Sequence, residues 1–398
     1  MGFNQLEPEF DTVIIRLGGE IGIKADWTRK LYERRLIGNI KAVLKHHAIP
    51  YEALNRRFGR LYLRTSQAQN ASQKLARVFG ISSVSPALET TSKLSDIIEK
   101  NVQIAGSTFK KRSSFAVRCR RVGKHAYTSQ DVCREVGRQV LDAYSERGLR
   151  VNLKNPDITL SIEVREDKAY ISTEIMRGVS GLPLGTQPKL VSLLNEDISS
   201  SVACWMVMKR GCPILPLYFE ETPFNNESTN QALKSAKTLF EWTIGFPKKV
   251  YIVSHGPNLA QIEQNCPKKL KSVLSKRMMY RVAEQVAEME HAEGTVTGEP
   301  FNEPAGEALH ALSLQDEAAK HFPIYRPLIG LDALEIDELA RKIGTFKISS
   351  VRRMKKSEAT SKQSEKIIKL KEIKEAEARL NTDEMVEASL KSLRIISL

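Results

Sequence analysis

From Leu190 onward the chain repeats one device, a short apolar run followed by a longer segment whose apolar residues recur at helical spacing. The runs are Leu190–Leu194, Ile214–Phe219, Lys249–Val253, Gly294–Thr297 and Tyr325–Pro327, and the helical stretches include Ser200–Lys209, Gln231–Thr243 and Lys276–Glu290. Apolar runs that do not alternate fit strands covered on both faces, the usual condition of a parallel sheet. Joining parallel strands takes a crossover of roughly a dozen residues or more, which a helix supplies. The pattern therefore predicts an α/β doubly wound parallel sheet.

Upstream of a Gly- and Pro-rich stretch, Gly178–Pro188, the order of elements is different. Asp11–Glu20 reads as a strand running into a glycine turn, Trp27–His46 as a helix and Arg60–Arg64 as an alternating strand, a small α+β unit. A second α+β set follows, with a helix over Ser92–Ala105, the strand Ser114–Arg118, a helix over Ser129–Arg147 and strands at Ile158–Val164 and Ala169–Glu174. Thr128 or Ser129 is placed to cap that later helix, and Asp131 complements its dipole. At the far end, Val351–Leu380 is rich in Lys and Glu and poor in large apolar residues, so weak packing or partial disorder is expected. Four regions result: 1–75, 76–180, 181–350 and a charged helical extension over 351–398.

Charge is divided unevenly between these regions. Residues 1–190 hold 32 Lys plus Arg against 19 Asp plus Glu, while residues 191–398 hold 29 against 28. With a pI near 9.4, the front half is built to meet a polyanion, nucleic acid ahead of an anionic membrane surface. The densest run is Lys110–Lys124, followed at once by His125, Tyr127, Thr128 and Ser129. No run of about eighteen apolar residues and no signal peptide is present, which points to the cytoplasm and away from a membrane partner. The five cysteines are odd in number and none is spaced Cys-x-x-Cys, so no metal site or disulfide framework is expected and buried thiols are.

The series Phe115-x-Val117-x-x-Arg120-Arg121-x-Gly123-x-His125-x-Tyr127-Thr128-Ser129, then Lys154-Asn155-Pro156-Asp157, then Gly181–Gln187, resembles the THUMP domain of the 4-thiouridine synthetase (tRNA sulfurtransferase) family. On either side, Arg16–Lys24 is similar to the start of that family's ferredoxin-like domain. Lys276–Arg281 and Arg326–Asp332 are similar to segments of its nucleotide-binding domain. The resemblance implies ferredoxin-like and THUMP α+β domains followed by a PP-loop ATP-pyrophosphatase-like α/β domain, with tRNA as partner. A homodimer and a sulfur donor or other modifying enzyme as partner follow only by family analogy. The RNA face it implies comprises Arg118, Arg120, Arg121, Lys124, His125, Tyr127, Ser129, Lys154 and Asn155. Gly123 lets the backbone approach phosphate, the amides after Ser129 open a helix toward anions, and His125 or Tyr127 can stack on an unpaired base.

The family's phosphate loop, Ser-Gly-Gly-x-Asp-Ser, is not kept. Between Leu194 and Val202 stands Asn195-Glu196-Asp197-Ile198-Ser199-Ser200-Ser201, with carboxylates where glycines belong. A like-charge contact at about 4 Å costs on the order of 1 kcal/mol in water and about 4 kcal/mol near a protein surface, so phosphate is opposed unless magnesium intervenes. A family Gln becomes Glu307, and the sulfur-carrying Cys falls on Ser357 with no cysteine after Cys266. A hydroxyl cannot pass on a persulfide sulfur. Leu193, Leu194, Tyr218, Phe219, Arg277 and Gly298 are what remains to hold an adenine, in a vestigial site with no catalytic residue. The expected function is a non-catalytic tRNA binder acting in tRNA modification. The alternative is an active sulfurtransferase using ATP and Mg, an altered loop and an external sulfur donor. A THUMP-linked methyltransferase would need a Gly-rich cofactor loop and an Asn/Asp-Pro-Pro-Tyr/Phe motif, and neither occurs.

Overall fold

A computed structural model describes residues 10–223, 228–299, 307–348 and 368–398. Two compact units divide at Leu182 and Pro183. The first holds β1 (Thr12–Leu17), α1 (Gly19–Gly22), α2 (Asp26–His46), β2 (Ala53–Arg57), β3 (Arg60–Arg64), α3 (Ala68–Leu75), β4 (Ile81–Thr91), α4 (Leu94–Thr108), β5 (Ser114–Val122), α5 (Ser129–Ala143), β6 (Arg150–Val151), β7 (Ile158–Arg165), β8 (Lys168–Ser172) and β9 (Met176–Arg177). Its strands form one sheet in the order β2-β3-β1-β4-β8-β7-β5-β6, with β9 alongside β4.

The two α+β sets expected in this half share a strand. Residues 81–87 of β4 pair with β1, and Leu88–Thr91 pair with β8. Local pattern does not mark this strand, because Ile81-Ser-Ser-Val-Ser-Pro carries the Ser and Pro of a loop. Pairing on both sides overrides that weak local preference. Beneath the second set, Val132, Val136 and Val140 recur every fourth residue along α5 and pack against Phe115, Leu160, Ile162 and Val164. Thr128 and Asp131 form a reciprocal capping box at the start of α5.

The second unit holds β10 (Leu190–Leu193), α6 (Ile198–Lys209), β11 (Ile214–Glu220), α7 (Ser228–Phe240), β12 (Lys249–Ser254), α8 (Gly256–Asn265), α9 (Lys271–Met289), β13 (Thr295–Val296), α10 (Glu307–Asp316), β14 (Ile324–Tyr325), α11 (Ala333–Ile343), α12 (Leu370–Glu377), α13 (Thr382–Lys391) and β15 (Arg394–Ser397). The sheet order is β14-β13-β10-β11-β12-β15, parallel throughout except for β15. This is the doubly wound sheet expected from the alternation.

The weak packing expected over Val351–Leu380 does not hold for the described part of that stretch, residues 368–380. Residues 368–398 are integral to the unit rather than a weakly packed extension. Ile373 and Ala376 of α12 are buried with Leu274 and Met278 of α9, and β15 closes the β12 edge. Few apolar residues suffice because Glu377 is drawn inward by Arg277 and Arg281. Ser357 and residues 300–306 lie outside the described residues. Among the described residues no helix is long and apolar enough to cross a membrane.

Candidate functional site

The basic face begins with alternation along β5. Val117, Cys119 and Arg121 lean toward the helices, while Arg118, Arg120 and Val122 are exposed on the opposite face. Arg118 Nη2 donates to the Leu153 carbonyl at 3.2 Å, which ties β5 to the loop carrying Lys154 and Asn155. In that loop the Asn152 Oδ1 accepts the amides of Lys154 and Asn155 at 3.1 Å each, and its Nδ2 donates to the Asn155 carbonyl at 2.7 Å. Both Lys154 and Asn155 stay exposed. Asp157 completes the turn by accepting the amide and hydroxyl of Ser114, bonds that hold its carboxyl below the usual carboxylate range. Asn152 was not singled out in the sequence, although an Asn preceding Asn-Pro-Asp is a turn signal.

At the other end of β5, several groups expected to meet RNA are first of all holding one another. Arg121 Nη1 donates to the Gly123 carbonyl at 3.1 Å and lies 3.4 Å from His125 Nδ1. His125 Nε2 lies 2.7 Å from the Glu166 carbonyl, a contact it makes as donor. The His125 and Tyr127 rings are 5.4 Å apart, and the Tyr127 hydroxyl donates to the Ser92 carbonyl. Both residues are half-buried, with their polar ends occupied. Gly123 has φ +107°, and a Cβ there would meet His125 Cε1 at 3.2 Å. Glycine is thus required by the turn itself, quite apart from any approach of phosphate. Lys124 and Arg120 remain exposed. Ser129 opens α5, where Asp131 already accepts from the Thr128 amide and hydroxyl at 2.8 and 2.7 Å. A carboxylate therefore occupies the helix end that the sequence reading offered to an anion.

In the second unit the strand order reverses between β10 and β13, and in such sheets ligands bind beyond the C-terminal ends of the strands at that point. The loops there are 194–197, after β10, and the one after β13, of which residues 297–299 are described. Asn195 Oδ1 accepts the Asp197 amide at 3.0 Å, and the Ser200 hydroxyl bonds the carbonyls of Asp197 and Asn195 at 3.0 and 3.2 Å. A Cβ on Gly298 would lie 2.5 Å from the Ser200 amide nitrogen, so the loop after β13 presses on the first turn of α6. Next to it, Glu299 receives Lys276 at 2.9 Å, Arg326 at 3.0 Å and the Tyr280 hydroxyl at 3.0 Å. Burial alone would raise the Glu299 carboxyl, but Lys276 and then Arg326 outweigh it and hold it below its ordinary value.

The remaining nucleotide-site candidates lie in the scaffold. Leu193, Leu194, Tyr218 and Phe219 are buried. Arg277 is 1% exposed and fully engaged, with Nε and Nη2 on the Glu377 carboxylate at 2.8 and 2.9 Å and Nη2 on Glu317 at 2.6 Å. Nothing in the sequence near Arg277 marks these partners, which lie 40 and 100 residues away. Among the described residues no group of His, Cys, Asp and Glu is arranged to hold a metal ion.

Comparison with known proteins accounts for the whole layout. The ThiI ferredoxin-like domain matches residues 12–85, the THUMP domain residues 91–174, and the family described as thiamine biosynthesis protein (ThiI) residues 185–382. A probable tRNA sulfurtransferase of Methanosarcina mazei is 36% identical over 396 residues, covering 98% of this chain and 96% of that protein. One of Saccharolobus islandicus is 36% identical over 374 residues, covering 93% and 96%. Among solved structures, a 4-thiouridine synthetase in complex with RNA and ATP matches with a TM-score of 0.84 and 26% identity, covering 98% of this chain and 100% of that one. A protein of Pyrococcus horikoshii matches with a TM-score of 0.66 and 27% identity, covering 84% and 99%. With ferredoxin-like, THUMP and PP-loop-type α/β domains in family order and close relatives over nearly its full length, the chain belongs to the ThiI family of tRNA sulfurtransferases.

Proposed function

We propose that this family member binds tRNA through its first unit and has given up the adenylation and sulfur-transfer chemistry of its second. The observation that carries the binding half is the exposed pair Arg118 and Arg120 on one face of β5, flanked by Lys124 on one side and Lys154 with Asn155 on the other. Cations spaced along a strand can each neutralise one phosphate and release its counterions. The solved relative that spans the whole chain was captured with RNA, which supports the same partner here.

Loss of chemistry is supported by the switch-point loops. A triphosphate needs converging N–H donors and uncommitted cations. Here the Asp197 amide is taken by Asn195, Glu196 and Asp197 stand where the family loop has glycines, and Lys276 and Arg326 are paired with Glu299. This donor set does not fit a triphosphate. Among residues 1–398 no cysteine follows Cys266, and burial raises the thiols of all five cysteines, which supports a chain without a ready thiolate to carry sulfur. A second reading, an ATP-dependent tRNA sulfurtransferase with an altered loop and an external sulfur donor, is favoured by the same full-length similarity to a synthetase that holds ATP.

One measurement divides the two. Exchange of labelled pyrophosphate into ATP in the presence of tRNA is expected to stay at background, and 4-thiouridine in cellular tRNA is expected to survive deletion of the gene. Exchange above background, abolished by substituting Lys276, would establish the second reading.

A further inference from the structure

The face of the nine-stranded sheet turned away from α4 and α5 holds more buried positive charge than its own carboxylates answer. Leu160, Ile162 and Val164 of β7 face the helices, so Glu163 and Arg165 face the other way. Onto Glu163 converge Arg16 of β1 at 2.8 Å, Arg165 at 3.2 Å and Arg60 of β3. The three guanidinium side chains are 19%, 9% and 13% exposed, and the carboxylate 8%. One carboxylate cannot balance three guanidiniums, and taking unbalanced charge out of water is costly. Burial, followed by the charges of Arg16 and Arg165, pushes the Arg60 guanidinium down to about 10.

Two further observations point to a ligand. Tyr62 is 5% exposed, lies close enough to Arg16 and Arg60 to influence both, and its hydroxyl has no hydrogen-bond partner among the described residues. The Arg165 Nε is likewise buried and unbonded. Buried donors left unpaired are rare in a finished site. At the tip of the β2–β3 hairpin, Phe58 is 41% exposed, and its ring centroid lies 5.9 Å from the Arg165 guanidinium carbon. Phe58 has φ +52° and Gly59 φ +72°, a two-residue turn that favours Asn-Gly. A bulky aromatic held in that conformation is strained, and strain of this kind collects at functional positions.

We propose that Phe58 and the Arg16–Arg60–Arg165 cluster form a seat for one nucleotide of single-stranded RNA, the base stacked on Phe58 and its phosphodiester against the guanidiniums. The proposal rests on the RNA-binding reading above and extends the track from the THUMP strands onto the ferredoxin-like ones. The two stretches adjoin, because Glu166, next to Arg165, is the residue whose carbonyl holds His125. An aromatic platform beside a cationic groove is the usual way a single strand is gripped without reading its sequence.

The test uses the full-length protein, a labelled single-stranded oligonucleotide and anisotropy at several salt concentrations. Phe58→Asn suits the left-handed turn and removes the platform, so affinity is expected to fall about tenfold with the salt slope unchanged. Arg60→Gln is expected to weaken binding about tenfold and to flatten the slope by about one. Its melting temperature without RNA should hold or rise, because Glu163 keeps two cationic partners. If the Arg60 variant melts lower while RNA affinity is retained, the cluster is only a structural ion network and the proposal falls. It also falls if inorganic pyrophosphate protects wild type and Phe58→Asn alike against heat while both bind RNA equally, since the seat would then serve a free anion. Wild type that binds while both variants match it defeats the seat alone. Wild type that binds no RNA defeats the underlying reading as well.

Discussion

Arg277 shows how one residue can read as a ligand in sequence and act as a fastener in the fold. Its motif matches the family's nucleotide-binding domain, yet its guanidinium joins α9 to Glu317 and to Glu377 of α12. Arg277→Met is expected to destabilise the second unit by about 3 kcal/mol, because it leaves Glu377 buried with a weaker claim on charge. Urea denaturation followed by tryptophan fluorescence would measure it, through Trp205 and Trp242 of that unit. Burial alone would raise the Glu377 carboxyl, but Arg277 and Arg281 hold it at about 2. A carboxyl depressed on folding contributes stability present above its unfolded value and lost as pH falls through the folded one. Glu377→Gln should therefore flatten the loss of stability between about pH 4.5 and 2. On the basic face, Arg120→Ala and Lys124→Ala touch exposed groups and should each flatten the salt slope of RNA binding by about one at unchanged melting temperature. Arg121→Ala should lower the melting temperature too, since Arg121 also holds Gly123 and His125. That distinction was not legible in Arg120-Arg121, where the two side chains look alike until strand alternation sends them to opposite faces.

Single elements carry their own dependencies. The strand and helix limits that rested on periodicity, such as Arg60–Arg64 and the start of α5, were legible because alternation and capping are local. At the head of α8, His255 is fully buried between Ser275 at 2.9 Å and Asn258, whose amide goes on to Ser389 of α13. Burial, aided by the charge of Lys276, pushes its imidazole down to about 4. The unfolded chain then binds the extra proton between about pH 6.5 and 4, so stability present above that window is lost as pH falls through it. Between pH 7 and 5 this single histidine is expected to cost on the order of 2 kcal/mol. His255→Asn should be less stable than wild type at pH 7 and lose less on acidification, which equilibrium unfolding at the two pH values would read. Neither β4 nor β15 was legible, since each is a strand only by virtue of its neighbours: β4 by β1 and β8, β15 by β12.

Over the whole molecule, the two units place their cations differently. The first spreads cations over a sheet that runs unbroken through two domains, and the second buries its cations in ion pairs that brace its own C-terminal end. Removing residues 368–398 would expose the β12 edge and strand Arg277 and Arg281 without Glu377. Such a truncation is expected to abolish the cooperative unfolding of the second unit while leaving that of the first, as differential scanning calorimetry would show by the loss of one transition. A bare β12 edge also invites pairing between chains, so the truncated protein should aggregate at concentrations where the intact one does not.

Local regularities suffice for much of this protein. Hydrophobic periods and turn residues were enough to assign the parallel sheet of the second unit and the α+β character of the first, and the imbalance of charge between halves to make a polyanion the expected partner. They suffice because each depends on residues a few positions apart. The capture of Arg277 by Glu317 and Glu377, the self-closure of the Asn195 loop under Gly298 and the gathering of Arg16, Arg60 and Arg165 on Glu163 were decided only by tertiary structure. Arg16 lies 147 positions from Glu163, and Arg277 lies 40 and 100 positions from its two carboxylates, although Arg165 is only two from Glu163; the pairing of buried charge depends on which groups share a low-dielectric space, a matter that sequence distance does not encode.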